Sequence, residues 1–484
     1  MCRVPPLSPR TSPTISWKNC INESDPPNLQ CGSIQVPVDY GKPHCEHFNL
    51  TFARIKTNGI SCLGSLVYNP GGPGGAGSDV VFAHVLKGIS VWSAELLAQY
   101  DLIGLDPRGT GLSNPMKCDP TIWNQRVSMT PQNEEEFNQL VENNKAFSES
   151  CRNLTGPIFD FMDTASAAKD MDMVRRALQE DKLNFLGQSY DSQLGSRYAG
   201  LFPQNIGRMV LDGITDVSLP GTAQLLIKSN TYESTLNEFF KWCNTTIQCA
   251  LINQDAPGIF DKLIGTANTN PIPAPGCSPL SEHPCRSDAT SEEILTEVQL
   301  GLIGFNGTVS FTGWPALSLG ILEASKGNAT LLSRPIITTP TSSDFSFLGV
   351  ACFDCKATSI SHIDLLLKRQ MTSTLSPHTL GATQTYQAQA QCTGWAAPAT
   401  NTNHALKPKK IAQLPELLLV NSLWDPSTSI VWANLLREQL LSARLVLRKG
   451  AGHTSYFAAG ETSRAMDGFL LRGELPEQGT TFKS

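Results

Sequence analysis

Residues 183–191 read Leu183-Asn184-Phe185-Leu186-Gly187-Gln188-Ser189-Tyr190-Asp191. The apolar start predicts a buried strand, and a helix-like pattern follows it through Leu194, Tyr198 and Leu201. A serine at such a sharp strand-to-helix turn exposes its hydroxyl above the sheet, and the next backbone N–H faces the developing oxyanion. The stretch therefore predicts Ser189 as a nucleophile and the N–H of Tyr190 as an oxyanion donor. An ordinary helix N-cap serine is the alternative.

The turn departs from the usual nucleophile motif at one position. The pattern G-x-S-x-G ends in glycine, whereas this chain has Asp191 there. A carboxylate at an exposed helix amino-terminus is favourable by about 0.3–1 kcal/mol. A carboxylate that faces the site would instead raise the pKa of the catalytic base or repel the oxyanion. The sequence leaves both outcomes open.

A glycine-rich loop follows the apolar run at residues 65–68, and it reads Asn69-Pro70-Gly71-Gly72-Pro73-Gly74-Gly75-Ala76-Gly77. Residues 72–77 satisfy the dinucleotide-binding pattern G-x-G-x-x-G, with Glu95 near the distance expected for a ribose-binding acid. However, Pro73 removes a donor from a phosphate cradle, and residues 78–87 show no firm helix start. We therefore favour an oxyanion-hole loop in which the N–H of Gly72 is the donor.

An acid and a base are expected later in the chain, each just beyond the end of a strand. Asp425 follows the predicted strand 417–420, and His453 follows the predicted strand 444–447 in a glycine-rich turn. These positions predict a triad of Ser189, Asp425 and His453, with Asp212 as a rival acid. The other histidines lack such a setting and are expected to be surface or structural residues: His44, His47, His84, His283, His362, His378 and His404.

The strand and helix signals predict four segments in the 484 residues. Residues 1–35 are predicted to form an N-terminal arm, and residues 36–217 the first part of an α/β core. Residues 218–408, with helical stretches and Pro/Cys-rich loops, are predicted to be a cap insertion. Residues 409–484 complete the core and carry Asp425 and His453. The core would then be one sheet with strands from both parts of the chain.

Composition excludes several classes of protein. Hydrophobic residues make up 40% and charged residues 17%, with 38 Gly, 32 Pro and a net charge of −6, which is typical of a loop-rich globular protein. No Lys/Arg block indicates a nucleic-acid partner. No apolar run approaches the roughly 20 residues of a membrane span, and residues 1–18 show no recognisable signal peptide. We predict neither nucleic-acid binding nor a membrane span, and the oligomeric state is not predicted.

The 14 cysteines indicate an oxidising compartment. Their spacing suggests the bridges Cys20/Cys31, Cys118/Cys151, Cys243/Cys249 and Cys277/Cys285, with reduced structural thiols as the alternative. The pair Cys352 and Cys355 lacks a second pair of metal ligands and is interpreted as structural. Six N-glycosylation sequons begin at Asn22, Asn49, Asn153, Asn244, Asn306 and Asn328. Together these features predict a secreted or secretory-pathway glycoprotein.

Taken together, the motifs resemble the tripeptidyl aminopeptidase-like branch of the α/β-hydrolases, which are relatives of proline iminopeptidases. The resemblance rests on residues 71–75, 100–113, 186–191, 202–213 and 452–453. It implies an eight-stranded, mostly parallel sheet with a helical cap. It also implies Ser189 as nucleophile, His453 as base and Asp425 as the residue that orients it, with Gly72 and Tyr190 as oxyanion donors.

The resemblance implies cleavage near the free amino end of a peptide through an acyl-enzyme, with no metal or cofactor. An esterase or amidase that acts on a small metabolite is one alternative, and a non-catalytic binding protein on the same scaffold is another. Arg108, in the turn at residues 106–109, is interpreted as a structural ion-pair partner.

Overall fold

A computed structural model describes residues 13–483 except 24, 60–61, 283, 305–312, 356–357 and 401–404. In these ranges the chain forms twelve β-strands, ten of which join in one sheet. They are β1 (Ser16–Lys18), β2 (Leu29–Pro37), β3 (His47–Ile55), β4 (Ser65–Asn69), β5 (Asp101–Leu105), β6 (Leu183–Gln188), β7 (Ile206–Asp212), β8 (Ile272–Pro273), β9 (Asp288–Ala289), β10 (Leu417–Trp424), β11 (Ala443–Ala451) and β12 (Thr481–Lys483).

The strand order in the large sheet is β1-β2-β3-β5-β4-β6-β7-β10-β11-β12. The first four strands pair antiparallel, and all pairs from β5 onward are parallel. The eight inner strands correspond to the expected sheet, and β1 and β12 add a three-residue strand at each edge. Because parallel strands end at one edge, the loops after β4, β6, β10 and β11 meet there.

The central strands are short apolar runs because both faces of the sheet are covered. All five residues of β4 are buried, as are the first six of β10. Parallel strands that are buried on both faces show such continuous apolar runs instead of alternation. This explains why the sequence marks these strands clearly.

Sixteen α-helices occur in the described ranges. They are α1 (Gly77–Leu86), α2 (Ala94–Gln99), α3 (Pro120–Trp123), α4 (Glu134–Thr155), α5 (Thr164–Ala177), α6 (Tyr190–Leu201), α7 (Gly221–Thr245), α8 (Ala256–Thr269), α9 (Ser291–Gly301), α10 (Gly313–Ser325), α11 (Ser343–Asp354), α12 (His362–Leu375), α13 (Gln384–Gln391), α14 (Pro408–Ile411), α15 (Ile430–Gln439) and α16 (Glu461–Arg472). Between β7 and β10 the described chain is mainly helical, and much of α7–α10 shares a separate apolar core around Phe239, Phe260 and Trp314.

Two local expectations from the sequence are wrong. The arm predicted over residues 1–35 contains β1 and most of β2, because β2 gains its order by pairing along its whole length with β3. Residues 78–87 were expected to lack a helix start, yet α1 begins at Gly77. Its N-cap residue, Ala76, makes no side-chain cap bond, so the sequence carried no capping signal there.

All four predicted disulfide bridges are present. A fifth joins Cys352, in α11, to Cys392, at the end of α13. The structural interpretation of Cys352 is therefore confirmed.

Arg108 is the structural ion-pair partner that the sequence indicated. Its guanidinium donates two 2.7 Å hydrogen bonds to the carboxylate of Asp170, and each side chain is only 1% exposed. The remaining donors bond to the backbone carbonyls of Pro37, Val38 and Phe161. The pair therefore joins β2 to α5. Among the described residues, no helix has the length and apolarity needed to cross a membrane.

Candidate active site

Ser189 occupies the sharp turn between β6 and α6. Its backbone angles are φ +57° and ψ −122°, a region that costs a residue other than glycine about 1–3 kcal/mol. The N–H of Ser189 donates to the carbonyl of Asp212 at 2.8 Å, and its carbonyl accepts from the N–H of Ser192 at 2.9 Å. The strained turn is therefore held on one side by β7 and on the other by the first turn of α6.

The glycine-rich loop after β4 lies against this turn. A Cβ atom on Gly71, whose φ is +91°, would lie 2.3 Å from the carbonyl oxygen of Gln188 and 2.9 Å from Cβ of Ser189. Only glycine fits such a close approach at positive φ. The backbone N–H groups of Gly72 and Tyr190 donate to no residue in the described part of the chain. The two predicted oxyanion donors thus belong to adjoining segments and keep unused N–H groups.

The dinucleotide alternative for this loop required Glu95 near the glycines. Glu95 instead lies on the surface, where its carboxylate is 2.9 Å from Arg472. The side chain of Asn69 holds the loop by accepting from the N–H of Gly71 and donating to the carbonyls of Gly75 and Leu105. This arrangement supports the oxyanion-loop interpretation.

The predicted acid and base lie in direct contact. Nδ1 of His453 is 2.9 Å from both carboxylate oxygens of Asp425. Asp425 also accepts from the N–H groups of Ser427, Thr428 and Thr454 and from the hydroxyl of Thr428, at 2.7–3.1 Å. Burial alone would raise the pKa of Asp425, but the His453 ring and these donors hold it below its ordinary value. An ionised Asp425 accepts the Nδ1 proton and leaves Nε2 as the base.

The rival acid, Asp212, lies elsewhere. One of its carboxylate oxygens accepts from the N–H groups of Ser455 and Tyr456 at 2.7 and 2.8 Å, and from Gln188 at 3.2 Å. Burial raises the pKa of Asp212. Its bonds therefore fix the loop that follows His453, whereas Asp425 contacts the ring.

The surroundings of Gly213 place Ser189 and His453 at one edge of the sheet. A Cβ on Gly213 would lie 3.5 Å from Cε1 of His453. The residue before it, Asp212, accepts the N–H of Ser189. The structure thus brings Ser189, Asp425 and His453 to the carboxyl ends of β6, β10 and β11. The described histidines outside this site include His362 and His378, whose Nδ1 atoms lie 2.8 and 2.7 Å from carboxylate oxygens of Glu134 and Asp261. His283 and His404 lie outside the described residues.

Asp191 is fully buried, which excludes the exposed carboxylate, one of the two alternatives that the sequence left open. Neither carboxyl oxygen of Asp191 has a hydrogen-bond partner among the described residues. Burial raises its pKa well above the ordinary value, and only the backbone N–H of Gly71, which already bonds to Asn69, opposes this shift. A buried carboxyl group without a partner favours its neutral form. Burial therefore favours the neutral form of Asp191, the residue that stands where the motif has glycine.

The sequence reasoning missed Lys228, which lies on α7 close to the acid. This side chain is 4% exposed, and its ammonium donates to the carbonyl of Ser427 and lies 5.8 Å from the ring centroid of Trp432. Burial lowers the pKa of Lys228 to about 7, and the charge of Asp425 opposes the shift. Lys228 lies three residues after Leu225 and four before Tyr232, a spacing that places it on the apolar face of α7. A lysine on an apolar helix face is the signal that would have identified it as a buried cation.

Four further hydrogen bonds tie the helical segment between β7 and β10 to the loops of His453 and Asp425 and to helices α5 and α6. The N–H of His453 donates to the carbonyl of Ile303 at 2.7 Å. Gln299 of α9 donates to the carbonyl of Pro426, next to Asp425, at 3.1 Å. The carboxylate of Asp354, in α11, accepts from the N–H of Thr164 at 3.0 Å and from Gln193 of α6 at 2.9 Å. Nothing local in the sequence marks these partners.

Comparison with known proteins agrees with the fold. Residues 64–258 match the family model described as "alpha/beta hydrolase fold", and residues 377–482 match the one described as "TAP-like protein". The tripeptidyl aminopeptidase of Streptomyces lividans is 38% identical over 210 residues, which are 42% of this chain and 39% of that enzyme. The chain therefore matches about two fifths of the length of that relative.

Two mycobacterial proteins align over nearly the whole chain. Serine protease Hip1 of Mycobacterium tuberculosis is 26% identical over 97% of this chain and 91% of its own length. Carboxylesterase B of the same organism is also 26% identical, over 97% of this chain and 90% of its own length. The two matched regions include β4–β7 and β10–β11, which lie on either side of the helical segment in the chain. This chain therefore has the α/β-hydrolase fold, and its C-terminal part is similar to the TAP-like proteins.

Proposed function

We propose that this protein is a serine peptidase that releases amino acids or short peptides from the free amino end of its substrates. The observation that carries this proposal is the strained Ser189 turn on the sheet edge that also holds the Asp425–His453 pair. The names of the Streptomyces and mycobacterial relatives support peptide substrates.

In the proposed reaction, Oγ of Ser189 attacks the scissile carbonyl while Nε2 of His453 takes its proton. The oxyanion of the tetrahedral intermediate accepts hydrogen bonds from the N–H groups of Gly72 and Tyr190. His453 then protonates the leaving amine, and the acyl-enzyme forms. Water, deprotonated by His453, then attacks the acyl carbon. The bond between the acyl carbon and Oγ of Ser189 breaks, His453 returns the proton to Oγ, and the carboxylic acid product leaves. Throughout, Asp425 keeps the Nδ1 proton on His453 and stabilises the imidazolium.

The first experiment is intact-mass detection of fluorophosphonate labelling. We expect one adduct on the wild type and none on Ser189→Ala. Ser196→Ala is the matched control, because Ser196 lies on the same helix with its hydroxyl bonded to the carbonyl of Gln193, and it should label like the wild type. Labelling of folded Ser189→Ala, or no adduct on folded wild type, would refute the assignment of the nucleophile.

The similarity to Carboxylesterase B supports an esterase as the second candidate. A panel of substrates can distinguish an aminopeptidase from an esterase. It contains aminoacyl and tripeptidyl arylamides, the same compounds with an acetylated amino end, and simple acyl esters. We expect arylamides with a free amino end to be hydrolysed fastest and their acetylated forms at least about tenfold more slowly. Turnover confined to the acyl esters would favour the esterase.

We propose in addition that the protein is secreted and glycosylated. Five disulfide bridges between described residues support an oxidising compartment. Of the sequon asparagines, Asn22, Asn49, Asn153 and Asn244 are exposed, Asn328 is half-buried, and Asn306 lies outside the described residues. Protein from its native host should lose mass on treatment with an N-glycosidase. Unchanged mass together with a full set of reduced thiols would contradict this proposal.

A further inference from the structure

Helix α11, in the helical segment between β7 and β10, lies against both segments that carry the proposed oxyanion donors. At its amino end it meets the glycine-rich loop: a Cβ atom on Gly74, two residues after Gly72, would lie 2.5 Å from the carbonyl oxygen of Ser343. Because φ of Gly74 is +96°, only glycine allows this approach. At its carboxyl end the helix closes with Asp354, which is linked to Tyr190.

Asp354 is buried, and both of its carboxylate oxygens accept hydrogen bonds. The residue is 3% exposed. One oxygen accepts from the N–H of Thr164 at 3.0 Å. The other accepts from the hydroxyl of Thr164 and from the amide of Gln193, the latter at 2.9 Å. The carboxylate is therefore fixed between the first residue of α5 and the first turns of α6.

The hydroxyl of Thr164 also forms a hydrogen bond with the phenol of Tyr190. Thr164 has one hydroxyl proton, which it donates to Asp354, so the phenol is the donor to Thr164. Burial and the charge of Asp354 raise the pKa of Tyr190 well above its ordinary value, and the phenol keeps its proton. A continuous chain of hydrogen bonds thus runs from Tyr190 through Thr164 to Asp354.

This chain begins at the residue whose backbone N–H is the proposed oxyanion donor. Tyr190 is the first residue of α6 and follows Ser189, whose φ is +57°. A turn in such a sparsely populated conformation persists only where its surroundings hold it. An oxyanion donor works at about 2.7–3.1 Å from the oxyanion, and a displacement of about 1 Å lowers the rate by about a hundredfold. The anchored phenol therefore bears on the reaction as well as on stability.

We propose that Asp354 is a positioning residue for the oxyanion hole and that it acts through Thr164 and the phenol of Tyr190. Helix α11 then holds both donor segments, because its other end packs against the loop of Gly72. The inference rests on the proposed acyl transfer to Ser189. Binding of the substrate's ammonium is the alternative role for a buried acid here, and it is one outcome of the test.

The decisive variant is Tyr190→Phe, because it removes only the phenol oxygen and keeps the backbone N–H. For a peptide arylamide with a free amino end, we expect kcat to fall about tenfold or more, with KM within about twofold of the wild type. Thr164→Val and Asp354→Asn should act in the same direction. The double variant Thr164→Val/Tyr190→Phe should lose no more than either single variant, because both break one chain.

Two controls separate positioning from a general loss of structure. Thr164→Ser keeps the hydroxyl and should recover most of the kcat that Thr164→Val loses. Asp344→Asn makes the same substitution as Asp354→Asn at an exposed position of α11, and it should match the wild type. Circular dichroism and urea unfolding identify the variants that are folded.

A second measurement reports the oxyanion contact directly. Oγ of Ser189 adds to the carbonyl carbon of a peptidyl trifluoromethyl ketone, its proton passes to His453, and the carbonyl oxygen becomes the oxyanion; the matching carbinol cannot form this bond. We expect the wild type to bind the ketone at least about a hundredfold more tightly than the carbinol. Tyr190→Phe should lower this ratio about tenfold and leave the inhibition constant of the carbinol unchanged.

Four results would contradict one or both proposals. A wild-type kcat and a wild-type ketone ratio in folded Tyr190→Phe would overturn the inference. A higher KM for Asp354→Asn, confined to substrates with a free amino end and with kcat unchanged, would assign Asp354 to the substrate's ammonium and overturn it as well. Ketone binding that Tyr190→Phe weakens, without turnover of any peptide, would contradict the proposed peptidase and leave the positioning role standing. Equal binding of ketone and carbinol by the wild type would overturn both.

Discussion

The acid loop after β10 and the nucleophile turn after β6 each bury one aspartate, and the two carboxyl groups behave in opposite ways. Five donors point at Asp425: three backbone N–H groups, the hydroxyl of Thr428 and the ring of His453. Neither oxygen of Asp191 has a partner among the described residues. Accordingly, the pKa of Asp425 lies below its ordinary value and that of Asp191 well above it.

The difference shows that burial alone does not decide the charge of a carboxyl group near this site. Both groups lose their hydration, but only the acid loop replaces the lost water with aligned donors. In the proposed reaction, an ionised Asp425 stabilises the imidazolium form of His453. Behind the oxyanion loop a negative charge would oppose the reaction, and there the chain places a carboxyl group without partners.

The comparison predicts its largest effect at the acid loop. Asp425→Asn keeps the shape but presents an amide that favours the wrong tautomer of His453. We expect kcat/KM for a peptide arylamide to fall by about 10⁴. A fall of less than tenfold, in protein with an unchanged circular dichroism spectrum, would show that Asp425 is not the acid of the triad. Asp212 would then be the next candidate for that acid.

The second effect concerns stability at the nucleophile turn. The pKa of Asp191 is higher in the folded protein than in the unfolded chain. The protonated carboxyl group therefore contributes to the free energy of unfolding at low pH, and this contribution is lost as the pH rises towards the folded-state pKa. The loss is about 1.4 kcal/mol per pH unit for one proton. In urea unfolding at about pH 5, 6 and 7, the free energy of unfolding of Asp191→Asn should therefore increase relative to that of the wild type as the pH rises. A constant difference between the two proteins would mean that Asp191 is already ionised.

A smaller effect is expected from Lys228, which adds positive charge behind the acid loop. Lys228→Met removes a charge that weakens the pull of Asp425 on the His453 proton, so His453 becomes more basic. The acid limb of kcat/KM should move to higher pH, by about half a unit. Lys228→Arg keeps the charge and should leave the limb in place. If both variants shift it equally, the effect comes from altered packing against Trp432 and not from charge.

The smallest effect is expected for activity at the nucleophile turn. If Asp191 is neutral, Asp191→Asn replaces one uncharged group by another of the same shape. We expect kcat/KM at neutral pH to change by less than about threefold. A hundredfold change in either direction would show that an ionised Asp191 acts on the oxyanion.

The features that could be predicted from the sequence are those whose signal lies within about ten residues. The Ser189 turn, and Asp425 and His453 beyond their strands, were recognisable because buried parallel strands end abruptly in polar or glycine-rich turns. The bridges Cys20–Cys31, Cys243–Cys249 and Cys277–Cys285 followed from spacing in the same way, whereas Cys118–Cys151 spans 33 residues. Helix α1 was missed because no capping side chain marks its start.

The remaining features depend on residues far apart in the chain. Lys228 donates to the carbonyl of Ser427, which is 199 positions later in the chain. Asp191 lies near Gly71, which belongs to the loop after β4. The pattern of Leu225, Lys228 and Tyr232 shows which face of α7 is buried, but not what covers it. Charge states and anchoring contacts of this kind require the tertiary structure.

The hydrogen bond from the N–H of His453 to the carbonyl of Ile303 has a consequence for how the enzyme opens. Because the segment that follows α9 bonds to the backbone of His453, a movement of that segment away from the sheet would also move the imidazole. Under the proposed function, we therefore expect a substrate that breaks this hydrogen bond to be cleaved slowly. A narrow, flexible chain end that leaves the bond intact should be cleaved faster.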